Sequence, residues 1–167
     1  MEKFFGIFLK RKNYNLSAFT LAELLITMGI LVIIASTGFV YLGGYRRTAE
    51  IDSALQKMVS FTREAQMRAK TGQDGVAWGI RWENPLAGED FYALFKETYA
   101  STNTIEIIKL GNAIEFTDPS ASNYYDVIFQ RVTGNPDVTS TTITIASRAD
   151  ASITKTITIN SLGQIDY

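Results

Sequence analysis

The distribution of apolar positions divides the chain into three stretches. Between Glu23 and Arg46 runs LLITMGILVIIASTGFVYLGGY, 22 residues without a charge. A helix of that length rises about 33 Å, close to the roughly 30 Å hydrocarbon core of a bilayer, so the pattern predicts a membrane-spanning helix. From Arg46 to about Lys70 the apolar residues fall at helical spacing: Ile51, Leu55, Met58, Phe61 or Thr62, Ala65 and Ala69 share one face. This predicts an amphipathic helix laying a stripe on a sheet and stopped by Gly72, Asp74 and Gly75. Beyond it the period becomes two, and strands are expected over 76–83, 90–97, 104–110, 113–117, 125–132, 141–147 and 152–159. Trp78 and Trp82 share a strand face and are expected in the core. Ile143 and Ile145 are expected to face Ile153, Ile157 and Ile159 across a turn near Arg148.

The expected fold class is therefore α+β: a long N-terminal helix, half transmembrane and half amphipathic, packed on an antiparallel sheet head. Its parts are a basic leader at 1–18, a transmembrane and assembly helix at 19–45, an amphipathic helix at 46–71 and a β-rich head at 72–167.

Composition excludes more than it assigns. The 167 residues suit one domain, and 46% apolar, 20% charged and a net charge of -1 exclude wholesale disorder and a strongly basic nucleic-acid binder. Without cysteine or histidine there is no disulfide, cysteine nucleophile, histidine-centred triad or zinc site. The residues before Phe19 carry Lys3, Lys10, Arg11 and Lys12 against Glu2, and this basic excess predicts an N-terminus in the cytoplasm and a head outside. A secretory signal peptide fits less well, because the apolar stretch exceeds the usual 7 to 15 or so residues. Glu23, set against that stretch, is a candidate functional carboxylate.

The string Ala18-Phe19-Thr20-Leu21-Ala22-Glu23-Leu24-Leu25-Ile26 resembles the processing site of type IV prepilins and type II secretion pseudopilins. The resemblance implies cleavage between Ala18 and Phe19, N-methylation of Phe19, and assembly through Phe19, Thr20 and Glu23, with Glu23 pairing to a neighbour's terminal amine. It departs from the family at Ala18, where glycine is usual, and at Ala22, where a bulkier aliphatic residue is commoner. The implied partners are a prepilin peptidase and methyltransferase, other pilin or pseudopilin subunits, an inner-membrane assembly platform, and membrane lipid before assembly. The implied location is a single-pass inner-membrane protein that later enters an extracytoplasmic filament. The passage from Arg63, Ala65, Arg68, Ala69 and Gly72 into Val76, with the ending from Ile157 to Ile165, is similar to the H-type, FimT-like minor pseudopilins.

Other readings of the same residues are weaker. Gly29, Gly38, Gly43 and Gly44 fit close helix packing or a loosening of the helix, and the pattern does not choose between them. Asp118, Asp126 and Asp137 lack the spacing of a calcium loop, and no metal or cofactor is expected. No carboxylate pair suggests a hydrolase, so the chain is expected not to be an enzyme. DNA binding is disfavoured: the Arg63, Arg68 and Lys70 patch is short, and the chain from Phe19 onward is net acidic. Tyr124, Tyr125 and Tyr167 could form an adhesive face. The alternative function is an unprocessed single-pass anchor whose β-rich head binds a ligand or acts as a sensor.

Overall fold

The computed structural model describes residues 19–167, except for the side chains of residues 37–42. Helix α1 covers Leu21–Lys70 and is followed by a short 3-10 turn, Gln73–Gly75. Eight strands follow: β1 Trp78–Asn84, β2 Phe91–Lys96, β3 Thr104–Lys109, β4 Ile114–Asp118, β5 Asn123–Phe129, β6 Ser140–Ser147, β7 Asp150–Asn160 and β8 Ile165–Asp166. The contacts divide the chain between Tyr41 and Leu42 into two compact units.

In the first unit α1 starts where Thr20 caps it. The Thr20 hydroxyl accepts the Glu23 N–H at 3.2 Å, satisfying a donor that the first turn of a helix leaves free. Further along, the hydroxyls of Thr27 and Ser36 donate to the carbonyls of Leu24 and Ile33, so these polar groups are satisfied within an apolar run.

Here the expected transmembrane half is corrected. Among the described residues no helix is long and apolar enough to cross a membrane. The apolar part of α1 with described side chains, residues 21–36, rises about 24 Å, short of the roughly 30 Å required. The side chains of residues 37–42, on which the expectation also drew, lie outside the described residues. The single-pass inner-membrane location, the filament route that begins from a membrane-spanning helix, and the alternative of an anchored sensor head all rested on that span, and the correction extends to them. What holds is an α+β fold with a helix packed on antiparallel sheet.

In the second unit the expected stripe is the core. Ile51, Leu55, Met58, Phe61, Ala65 and Ala69 are all buried, and so is Val59. The stripe reading left Phe61 and Thr62 as alternatives, and both are buried; the Thr62 hydroxyl donates to the Met58 carbonyl at 2.8 Å, which removes the cost of burying it. Opposite the helix lie two four-stranded antiparallel sheets where one was expected. The first has the order β3-β2-β1-β5 and the second β4-β6-β7-β8.

Trp78, Ile80 and Trp82 on β1 point into the core, with Tyr92 and Leu94 from β2 and Val127 and Phe129 from β5. The Phe61 ring meets Tyr92 edge-on at 5.1 Å between centroids. In the second sheet Ile143 pairs with Ile157 and Thr141 with Ile159; Ile143, Ile145, Ile157 and Ile159 are buried, as the alternation predicted, and Ile153 is partly buried. On the outer face of the first sheet Gly79 pairs with Phe95, whose ring occupies the space that any Cβ at Gly79 would need.

Candidate assembly surface

The sequence-derived site residues gather at the start of α1. Phe19 is exposed, and Glu23 stands in the first turn with its side chain in solvent. Among the described residues Glu23 forms no ion pair. Ala18 lies outside the described residues. Thr20 and Glu23 stand at the Thr-x-x-Glu spacing of a capping box, of which the Thr20 half is formed. The carboxylate also sits where the free N–H groups of a helix start favour negative charge. The sequence showed this spacing, and it gives both residues a local role in starting the helix besides any contact with a neighbour.

The side chains that follow have an unusual distribution. Leu24, Leu25, Ile26, Met28, Ile30, Leu31, Val32, Ile33 and Ile34 are each at least half exposed, although they point in every direction around the helix axis. Monomeric soluble proteins rarely leave so large an apolar surface uncovered, and a helix that is apolar all round belongs inside something. The arrangement can therefore drive association, with no reaction implied.

In the head, the residues that sequence reasoning raised for chemistry have separate partners. Asp118 accepts the Tyr125 hydroxyl at 2.7 Å, a bond that, with burial, raises the Tyr125 pKa. Asp137 accepts the Ile128 N–H at 2.9 Å. Asp126 takes Arg81 in a two-pronged pair, 2.6 Å from Nε and 2.6 Å from a terminal nitrogen. Among the described residues no group of three acids is placed to hold a metal ion. Of the basic patch, Arg68 pairs with Glu64 at 2.5 Å and covers the Trp78 ring, Arg63 lies over Tyr167, and Lys70 packs beside Gly134. Tyr124, Tyr125 and Tyr167 are exposed, and each has its own partner: the Arg81 guanidinium, the Asp118 carboxylate and the Arg63 guanidinium.

Three features went unread. Arg81 lies between the rings of Tyr99 and Tyr124, 3.8 Å from each centroid. Burial pulls its pKa down, but the hydrogen bonds and charge of Asp126, with Glu83 and Tyr124, outweigh burial and leave it raised. Asp90 is only 3% exposed, accepts the Phe116 N–H at 2.6 Å and lies 3.8 Å from Arg148. Burial raises its pKa against the lowering effect of those two partners. Burial, with Glu106 adding to it, also pushes the Tyr92 phenol up to about 12. Only the cross-strand register, invisible to single-strand periodicity, brings Arg81 opposite Asp126.

No family model matches the chain. No curated protein matches it either. Among solved structures it is similar to the type IV minor pilin FimU of Pseudomonas aeruginosa, at 14% identity and a TM-score of 0.51, over 69% of this chain and 90% of that one. At that identity the likeness is one of fold, over about two thirds of the chain.

Proposed function

We propose that the chain is a structural subunit of the pilin or pseudopilin kind, built to assemble with other subunits and to present its β-rich head. The observation that carries this reading is the helix start that is apolar on every side and exposed, joined in sequence to a head of minor-pilin fold. In an assembly, neighbouring subunits cover residues 21–36. The finer reading places the chain near the H-type, FimT-like minor pseudopilins. A prepilin peptidase cuts between Ala18 and Phe19 and methylates Phe19, and Phe19, Thr20 and Glu23 contact adjacent subunits. The chain performs no chemistry of its own and needs no cofactor.

The test is to place a charge in the exposed run and follow assembly of the full chain. Ile30→Asp should abolish sedimenting polymers while leaving the far-ultraviolet spectrum and melting of the head unchanged, because Ile30 is exposed in the single chain. Normal polymer yield from Ile30→Asp would sink the reading. Mass determination of the N-terminus in cells that carry a prepilin peptidase tests processing: a chain starting at methylated Phe19 supports it, and an intact Met1 opposes it.

A further inference from the structure

We propose that the heads of adjacent copies join head to tail, with the β3 edge of one copy meeting the β8 flank of the next; this rests on the reading of the chain as an assembly subunit. β3 and β5 are the two edges of the first sheet, and β4 and β8 the two edges of the second. β3 and β8 lie on opposite flanks of the head. β5 is the edge of the first sheet at the end away from β3. The Gln66 side-chain amide donates both to Gly134, in the loop after β5, at 3.1 Å and to Gly163, just before β8, at 2.9 Å, which brings β8 to the β5 side.

The two flanks are complementary in charge and both carry apolar surface. On β3, Ile105 and Ile107 are 48% and 53% exposed, unusual for an edge strand, which proteins ordinarily guard against pairing with other chains. They line a shallow groove of about 390 Å³ with Tyr99 and Thr104. Glu106 on β3 and Glu97 just past β2 form no ion pair among the described residues. On the other flank Met67 and Leu162 are exposed, and a groove of about 240 Å³ lies between Arg63, Met67, Lys70 and Ile165. Arg63 and Lys70 likewise form no ion pair there. Asp166 on β8 reduces the positive charge of this flank without cancelling it.

Two uncompensated acids beside exposed isoleucines thus face outward on one flank, and two uncompensated bases beside exposed Met67 and Leu162 face outward on the other. A second copy of the chain supplies the complement to each. Because the two surfaces differ, the contact is heterologous and repeats from copy to copy without closing on itself, as a linear assembly requires.

The absence of native cysteine makes the contact readable. Full-length I107C and M67C, mixed under mild oxidation, should give a cross-linked dimer that neither gives alone, and the I107C/M67C double variant should give a ladder of covalent oligomers. Glu106→Lys should cut the ladder about tenfold, since like charges across an interface cost at least the 1.4 kcal/mol that a factor of ten represents, and adding Arg63→Glu should restore it. Cross-linking of I107C with itself at equal yield, or no ladder from the double variant, overturns the head-to-tail contact. Sedimentation of the same samples separates the causes: polymers without a ladder overturn this contact alone, whereas chains that never assemble overturn the assembly reading as well.

Discussion

Residues 21–36 and the stretch from Ile51 to Ala69 belong to one helix and are both rich in apolar side chains, yet their surfaces differ in kind. In the second stretch polar residues separate the apolar ones at helical spacing, and the stripe is covered by two sheets of the same chain. In the first there is almost no polar interruption, and the described side chains remain in solvent. A patterned helix carries instructions for one partner surface, while an unpatterned apolar one can be covered on any side. The difference teaches that apolar content alone does not identify a core; the arrangement around the helix decides whether the cover comes from the same chain or from elsewhere.

The comparison can be broken most directly by trimming one side chain from each stretch. Met58→Ala should lower the stability of the head by about 2 to 5 kcal/mol, because it opens a cavity in a fully buried site, while Ile30→Ala in the single chain should change it by less than about 0.5 kcal/mol. Denaturant unfolding of both variants checks this, and equal losses would mean that the first stretch is already packed in the single chain. A smaller effect is expected at Gly79. Gly79→Ala should cost about 1 to 3 kcal/mol by displacing the Phe95 ring, with no change in the helix start, a separation visible as altered aromatic signals confined to the head. The smallest effect belongs to Thr20→Ala. It removes the cap and should cost about 0.5 to 1 kcal/mol locally, seen as faster amide exchange at Glu23 and Leu24 with the unfolding of the head unaltered.

The legible part of this molecule is whatever a single element encodes by itself. The stripe from Ile51 to Ala69, the stop at Gly72, the inward tryptophans of β1 and the pairing of Ile143 with Ile157 all follow from local periodicity, and the structure has them. The division into two sheets was not legible, since a period of two marks a strand but does not choose its neighbour. The Arg81 ladder and the burial of Asp90 depend on that choice and stayed hidden with it. The reading of the helix start erred differently: a long uncharged run was equated with a bilayer crossing, whereas the described helix does not meet that requirement. There Thr20 and Glu23 were read through a family resemblance, and the capping role of Thr20 was also spelled out by the Thr-x-x-Glu spacing.

The Gln66 amide has one further consequence. It is the shared latch of two loops far apart in sequence, one at Gly134 and one at Gly163, and its two protons are divided between them. Losing this one side chain would strip both carbonyls of the same donor at once, so a single glutamine ties two loops 29 positions apart to the same turn of α1.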